Sequence, residues 1–363
     1  MSSNVYLRRV MLAAWMALLL ALSAWGLLAL HYSDIASPLL RRGVMLLFTA
    51  GALAAAFLVM KGKKRLALTG FAVIFCTLVL WWRAIPPSNA RDWQTDVSRL
   101  AYAEVDGERV TIHNIRNFNY RSEFDYIPAW YDKTYDLGKL RSVDLIAVYW
   151  MGPAIAHTML SFGFEGGDQL AISIETRKER GEAYSTLKGF FKQYELYYVV
   201  ADERDVIRLR TNYRLNPPED TYLYRVRGPA ANARRLFLAY VDRINSLHRR
   251  PEFYNTLVDN CTTGIWMNTR INPGHLPLSW KILASGYVPH YLYAHGRLEN
   301  GMSFEALRRR AHVNARARAA DQAADFSRLI RLGLPGYDGA EPGNSAVEGS
   351  GASPRPAAQG ERR

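Results

Sequence analysis

The sequence predicts an α+β domain preceded by three transmembrane helices. Long apolar segments are confined to the first 82 residues, short runs of β-branched and aromatic residues recur between residues 110 and 227, and one later segment has helical spacing of its apolar residues. These observations divide the chain into a membrane anchor at 1–83, a soluble domain at 84–335 and a disordered tail at 336–363, where large apolar residues become scarce.

The membrane anchor is predicted from three uncharged segments, at about 10–30, 43–60 and 66–82. Each is close to the roughly 20 residues that a helix needs to cross the hydrocarbon core of a bilayer. A cleaved signal peptide would account for the first segment alone, and no small-residue cleavage site follows it. We therefore expect a multi-pass membrane protein.

The orientation follows from the basic residues beside these segments. Arg8 and Arg9 precede the first segment, and the cluster at 61–65 joins the second to the third. The positive-inside rule places both groups in the cytoplasm, whereas Arg41 and Arg42 on the opposite side argue against this orientation. The balance predicts a protein of the bacterial inner membrane whose C-terminal domain lies in the periplasm.

The net charge of +13 favours anionic lipid as a partner. Nucleic acid would attract the same charge, but three membrane segments and an extracytoplasmic domain argue against it. We expect contact with the membrane and no nucleic acid.

Six strands and two helices are predicted in the soluble domain, and their order favours an antiparallel sheet. The predicted strands are 110–118, 142–150, 157–164, 170–177, 194–201 and 221–227. Helical spacing at 231–248 puts Leu236, Tyr240 and Ile244 on one face. The turn at 165–168, EGGD, predicts a hairpin between the third and fourth strands.

Cys261 is the candidate nucleophile. The other cysteine, Cys76, lies in the third apolar segment, so the two are not expected to form a disulfide. Asp259 or Asn260 can cap a helix from about Cys261 to Asn272, and the first turn of a helix favours a thiolate and offers backbone N–H groups to an oxyanion. The alternative is a small buried residue that only fills space.

His157 is the candidate base, because it begins the first strand of the predicted hairpin. Folding the hairpin near Gly166 sets His157 opposite residue 175 or 176, depending on the register. Glu175 is therefore the candidate carboxylate that orients the imidazole, with Gln169 as a weaker candidate. The structural alternatives are a strand-end histidine and a glutamate paired with Arg177 or Arg180.

No metal or cofactor is expected. His290 and His295 are five residues apart, which does not place them on one helical face, and no cluster of cysteines or carboxylates completes a zinc site. The chain also lacks G-x-S-x-G, P-loop and G-x-G-x-x-G motifs. The charged cluster at 202–205 is interpreted as a solvated turn or as an ion-pair network that fixes the sheet, and the aromatic segment at 122–136 as core, groove wall or membrane-interface surface.

The chain from about Asn117 to Ile330 resembles the Lnb N-terminal periplasmic domain family. The segments that carry the resemblance are AHTMLSFGF, ISIETRKERGEAYS, YELYYVVADERDVI, EFYNTLVDNCTTGIW and LPLSW. The resemblance implies a circularly permuted papain-like fold, of the NlpC and lecithin-retinol acyltransferase kind, in which the histidine strand precedes the cysteine helix. Here His157 precedes Cys261 in that order.

The resemblance also implies a chemistry, the N-acylation of lipoproteins. Cys261 would attack a phospholipid ester to form a thioester, His157 would shuttle protons and Glu175 or a neighbour would orient the histidine. The phospholipid is the expected acyl donor, and the N-terminal amine of a lipoprotein is the expected acceptor. The alternatives are a cell-wall peptidase or amidase of the NlpC type, which is a hydrolase, and a non-enzymatic scaffold of the cell envelope.

Overall fold

The computed structural model describes residues 2–32, 35 and 37–337. It begins with three helices, α1 (Ser2–His31), α2 (Pro38–Met60) and α3 (Lys64–Ala84), which are long and apolar enough to cross a membrane. The predicted segments 10–30, 43–60 and 66–82 lie inside these helices. Of the predicted tail, only Gly336 and Tyr337 are described, and residues 338–363 lie outside the described residues.

The domain that follows is built on strands of two to ten residues. The described strands are β1 (Tyr102–Asp106), β2 (Arg109–Arg116), β3 (Asn119–Tyr120), β4 (Tyr126–Ile127), β5 (Trp130–Asp136), β6 (Leu140–Tyr149), β7 (His157–Phe164), β8 (Gln169–Arg177), β9 (Glu195–Ala201) and β10 (Asp220–Val226).

Its helices are mostly short and come mainly after the strands. The described helices are α4 (Glu203–Arg208), α5 (Ala230–Arg249), α6 (Cys261–Thr269), α7 (Trp280–Leu283), α8 (Val288–Ala294), α9 (Phe304–Ala311), α10 (Asn314–Ala319) and α11 (Phe326–Leu329). A π-helical turn, Leu209–Tyr213, extends α4.

The main sheet has the strand order β1-β2-β9-β8-β7-β6-β10, with β5 paired to β2. All of its pairings are antiparallel except the single contact of β2 with β9, in which Arg116 is opposite Ala201. The α+β prediction is confirmed, and the six predicted strands correspond to β2 and β6–β10. The predicted sheet is thus antiparallel in all its pairings but one, and the β2–β9 contact makes it mixed.

Helices cover both faces of the sheet, so its central strands are buried on both sides. On one face, Phe162 of β7 packs against Phe237 and Tyr240 of α5, with ring centroids 5.1 and 5.7 Å apart. On the other face, Val206 and Phe326 join a second buried cluster. The predicted helix at 231–248 is therefore confirmed as α5, and its apolar stripe faces the core.

The helix that begins at Cys261 lies close to the sheet. Gly264 permits this approach, because a Cβ atom there would lie 2.7 Å from Cδ1 of Ile174 on β8. Ile265 packs against the same core. A larger residue at position 264 would therefore require the Ile174 side chain or α6 to shift.

Candidate active site

Cys261 is the first residue of α6, and Asn260 caps the helix. The Asn260 side chain accepts hydrogen bonds from the backbone N–H groups of Thr262 and Thr263, and the Thr263 hydroxyl accepts one from the backbone N–H of Asn260. This capping box fixes the start of the helix at the cysteine. The thiol thus lies in the first turn, where the partial positive charge of the helix favours a thiolate.

The surroundings of Cys261 stabilise its ionised form. Burial acts to raise the pKa of the thiol, but the charge of His157, a hydrogen bond with His157 and a hydrogen bond from the backbone N–H of Thr158 outweigh burial and lower the pKa to about 6. An ordinary cysteine has a pKa of about 8.5. At neutral pH this cysteine is therefore mainly a thiolate, which is the nucleophilic form.

His157 lies at the start of β7 and interacts with both the thiol and a carboxylate. Its Nε2 atom is 2.7 Å from Oγ of Ser173 and 3.5 Å from Oε1 of Glu175. Burial and the charge of Arg210 act to lower the pKa of His157, but Cys261 and Glu175 outweigh them, so that its pKa is raised. The imidazole is thereby favoured in its protonated form beside the thiolate.

The register of the β7–β8 hairpin explains how Glu175 reaches this histidine. Met159 is opposite Ser173 in the ladder. Extending that antiparallel register by two residues sets His157 opposite Glu175, which is one of the two positions that the turn at 165–168 predicts. Ser173 shares a face of β8 with Glu175 because the two are separated by two residues, and its hydroxyl donates to Glu175 Oε1 at 2.8 Å.

Arg210 also holds Glu175 in place, through the same oxygen that faces the histidine. One guanidinium nitrogen of Arg210 lies 3.2 Å from Glu175 Oε1, and the other lies 3.3 Å from Glu219. Burial acts to raise the pKa of Glu175, but its hydrogen bond with His157 and the charge of Arg210 keep that pKa well below its ordinary value. The carboxylate therefore stays ionised and stabilises the imidazolium.

The structure thus brings Cys261, His157 and Glu175 into one cluster, and it separates Gln169 from them. Gln169 is opposite Gly163, near the turn of the hairpin, where its side chain contacts Ser161 and Arg331. Gln169 and Glu175 are six positions apart along β8, which corresponds to about 20 Å. Gln169 therefore does not orient His157.

Two members of the cluster were missed by reasoning from the sequence. Ser173 had a usable signal, because it lies two residues before Glu175 and so must share its face of a strand. Arg210 had none, because it comes from the π-helical turn after α4 and no local pattern connects that turn with the hairpin.

An apolar cavity of about 190 Å³ lies close to the cluster, although Cys261, His157 and Glu175 are not among its lining residues. It reaches Thr158 and Thr262, which directly follow His157 and Cys261 and whose hydroxyls are 3.1 Å apart. Its other walls are mainly apolar side chains from the sheet and from α5, α6 and α8, among them Leu145, Leu160, Leu236, Ile265, Trp266 and Leu292. Arg141, Arg227 and Arg297 also contribute to its lining.

The remaining histidines considered above do not meet in a metal site. Nδ1 of His290 lies 3.2 Å from the Lys281 amine, and Nδ1 of His295 lies 2.9 Å from the carbonyl oxygen of Tyr291. Within 2–32, 35 and 37–337, there is no group of three or more His, Cys, Asp or Glu side chains placed to hold a metal ion.

The fold and the cluster define a class of protein: an α+β domain that carries a thiol, an imidazole and a carboxylate and follows three apolar helices. Residues 126–286 match the model of the family described as the Lnb N-terminal periplasmic domain, and this match confirms the resemblance found in the sequence. The matched segment contains Cys261, His157 and Glu175. No curated protein and no solved structure was found to match the chain.

The match and the three apolar helices together indicate an inner-membrane protein with a periplasmic domain. In that compartment, free cysteines are unusual, because disulfides form there readily. Both Cys76 and Cys261 are free, and Cys76 lies on the surface of α3. The pairing of the two cysteines is thus excluded, as their positions in the sequence predict.

Proposed function

We propose that this protein is a membrane-anchored thiol acyltransferase that takes an acyl chain from a phospholipid and transfers it to the N-terminal amine of a lipoprotein. We also propose that all three apolar helices cross the inner membrane, so that the domain works at its periplasmic surface. The observation that carries the proposal is the coupling of the Cys261 thiol, with its pKa of about 6, to His157 beside an apolar cavity.

The first half-reaction would begin with the Cys261 thiolate. Its sulfur attacks the carbonyl carbon of the phospholipid ester, and the carbonyl oxygen takes up the negative charge. The tetrahedral intermediate collapses by breaking the bond to the glycerol oxygen, which receives the proton from the His157 imidazolium. The lysophospholipid leaves, and the acyl chain remains on sulfur as a thioester.

The second half-reaction would reverse these roles. The amine of the acceptor attacks the thioester carbonyl, neutral His157 takes the proton from the attacking nitrogen, and the carbon–sulfur bond breaks to release an amide and the thiolate. Glu175 stabilises the imidazolium that forms in each cycle, and Ser173 and Arg210 keep its carboxylate in position.

The apolar cavity supports a lipid substrate over a peptide substrate. Its walls offer contacts to an acyl chain, which would leave water on burial, and the arginines in its lining suit a phosphate group. A peptidase or amidase of the NlpC type would use the same cluster on a polar cell-wall peptide, for which an apolar cavity offers few hydrogen-bond partners. A scaffold function would make no use of a thiolate.

The proposal is tested by intact-mass measurement of the purified full-length protein after incubation with phospholipid. We expect a mass increase equal to one acyl chain, its removal by hydroxylamine and its absence from the Cys261→Ser variant. A Cys76→Ala variant is the matched control and should still be acylated. Failure to detect an adduct with any phospholipid tested, together with cleavage of cell-wall peptides, would favour the hydrolase instead.

A second stage of the same experiment tests the acceptor. The acyl-enzyme is separated from free lipid and mixed with a peptide whose N-terminal cysteine carries a diacylglyceryl group. We expect the acyl mass to move from the protein to the peptide amine, and a peptide with a blocked N-terminus should not accept it. Release of free fatty acid at the same rate with either peptide would contradict transfer.

A further inference from the structure

Two loops of the domain meet beside the start of α6 and form a single surface. One loop contains residues 184–191, and the other contains residues 254–260 and leads directly into Cys261. The backbone N–H of Thr256 donates to the carbonyl oxygen of Gly189 at 3.3 Å, and the Thr256 hydroxyl donates to the carbonyl oxygen of Thr186 at 2.8 Å. A Cβ atom at Gly189 would lie 2.3 Å from the Thr256 hydroxyl, so the glycine is what permits this close contact.

This surface exposes large apolar side chains from both loops. Their exposed fractions are 52% for Tyr184, 43% for Leu187, 38% for Phe190, 53% for Leu257 and 56% for Val258. Isolated exposed apolar residues are common, but five on two bonded loops form a patch, and such patches mark contact with a partner or a membrane. We call these five residues the apolar loop surface.

The first loop is fixed to the ends of the membrane helices from which the domain emerges. The ring of Phe191 lies 6.3 Å from that of Trp25 and 5.8 Å from that of Tyr32, near the end of α1. Lys192 donates to the carbonyl oxygens of Trp82, Arg83 and Ile85, at 3.0, 3.2 and 3.1 Å. A lysine in this position caps the last carbonyls of α3.

The aromatic residues near these helix ends indicate the level of the first loop relative to the lipid headgroups. The rings of Trp25 and Trp82 are 5.4 Å apart, and Tyr32 follows α1. Tryptophan and tyrosine concentrate at the level of the lipid headgroups, where their rings are partly apolar and partly wet. Because Phe191 contacts Trp25 and Tyr32, the neighbouring Leu187 and Phe190 also lie near the headgroups.

We propose that the apolar loop surface inserts into the periplasmic leaflet of the membrane that α1 and α3 cross. Its partner is the phospholipid surface itself, because the patch continues the aromatic level of the membrane helices. Since Leu257 and Val258 precede Cys261 by only a few residues, insertion places the start of α6 at the lipid surface. The inference rests on the membrane crossing proposed above but not on acyl transfer, because the surface binds lipid whether or not Cys261 reacts with it.

The experiment measures the depth of single residues in the full-length protein reconstituted into phospholipid nanodiscs. Both native cysteines are replaced, Cys76→Ala and Cys261→Ser, and one new cysteine is introduced as Leu257→Cys or Phe190→Cys and labelled with a small fluorophore. Lipids that carry a nitroxide on the headgroup or high on the acyl chain then quench labels that enter the leaflet. The matched control is Phe124→Cys, a residue that is 88% exposed.

Phe124 suits this purpose because it lies at the far end of the sheet. Its loop follows β2, whose Arg116 is opposite Ala201 at the end of β9, whereas Glu195 at the start of β9 accepts a hydrogen bond from Ser88, just after α3. The seven residues of β9 span about 20 Å. A label at Phe124 should therefore report on water and not on the leaflet.

We expect lipid nitroxides to quench the labels at Leu257 and Phe190 several-fold more strongly than the label at Phe124. Equal quenching at all three positions would overturn the proposal. Labels at Leu257 and Phe190 that are shielded from a water-soluble quencher but are not quenched by lipid would also overturn it, and would show that a protein or a second copy covers the surface. Because the background lacks Cys261, the result does not depend on acyl transfer, and thermal melting confirms that each variant is folded.

Discussion

Two carboxylates of the domain have similar partners and different surroundings. Asp205 accepts hydrogen bonds from Arg116, from the backbone N–H of Phe118 and from the hydroxyl of Tyr120, at 2.7 to 3.1 Å for the closest contacts of each. Glu175 also has an arginine and a hydroxyl, from Arg210 and Ser173. Each carboxylate thus has one guanidinium and at least one further donor.

The two carboxylates differ in their exposure to solvent and in whether one of their partners can change its charge near neutral pH. The Asp205 side chain is fully buried, and its partners do not change charge near neutral pH, because arginine stays protonated and burial raises the pKa of Tyr120. The Glu175 side chain is 25% exposed, and its partner His157 can exchange a proton and is coupled to the Cys261 thiol. A closed set of fixed charges stabilises a fold, whereas a carboxylate linked to a titratable pair supports chemistry.

The largest expected effect is on stability, and it comes from removing the charge of Asp205 from the buried cluster that it forms with Arg116 and Tyr120. In Asp205→Asn the guanidinium of Arg116 stays buried without its counter-charge, which costs about 3–5 kcal/mol of the free energy of unfolding. Thermal unfolding of the full-length protein in detergent measures the loss. The fraction that remains folded should keep the thiol pKa of about 6, and a large change in that pKa would show that the two clusters are coupled.

Replacing His157, which links Glu175 to Cys261, should change the reactivity of the thiol more than the stability of the fold. In His157→Gln the thiolate loses its positive partner, so the pKa of Cys261 should rise from about 6 to at least its ordinary value of about 8.5. At pH 6 the thiolate fraction should fall by about a hundredfold or more.

The rate of alkylation by iodoacetamide, measured against pH, checks this prediction. In the unaltered protein the rate should rise as pH increases through about 6, because the thiol then loses its proton. In His157→Gln the same rise should occur at a higher pH. The Cys76→Ala variant removes the second thiol from the measurement, and an unshifted curve in His157→Gln would contradict the coupling.

The strands and the hairpin were predictable because their signals are local. The EGGD turn at 165–168 and alternation along β7 and β8 restricted the partner of His157 to two residues, and the structure selects Glu175. In contrast, β1 and β5 were missed, since their exposed charged residues, such as Glu104 and Asp132, look like loop residues. Strands near the edge of a sheet face water on one side and carry a weaker pattern.

The charged segment at 202–205 shows what the sequence leaves open. The sequence was compatible with a solvated turn or with an ion-pair network. The structure shows an ion-pair network, in which Asp205 pairs with Arg116 and Glu203 pairs with Arg331. Arg331 lies more than a hundred residues away in the chain. Such partners depend on tertiary packing, which local sequence patterns do not reveal. The contact of Arg210 with Glu175 could not be predicted for the same reason.

A smaller change in the pKa of the thiol is expected from replacing Glu175, the carboxylate beside His157. Glu175→Gln removes the negative charge beside His157, so the imidazolium is less stable and the pKa of Cys261 should rise by about one unit, a tenfold change in thiolate near pH 6. Alkylation against pH measures the change. The matched control is Glu165→Gln, which removes a partly exposed partner of Arg141 at the turn of the same hairpin and should leave the curve unchanged.

The smallest effect is expected at Ser173. Its hydroxyl bridges His157 and Glu175, and Ser173→Ala removes both hydrogen bonds, each worth about 1 kcal/mol. The direct contact of 3.5 Å between His157 and Glu175 remains, so the thiol pKa should rise less than in Glu175→Gln. The control is Ser161→Ala, which changes an equally buried serine of the same hairpin that contacts Gln169. If Ser173→Ala shifts the alkylation curve and Ser161→Ala does not, the hydroxyl positions the imidazole; equal curves would limit its role to packing.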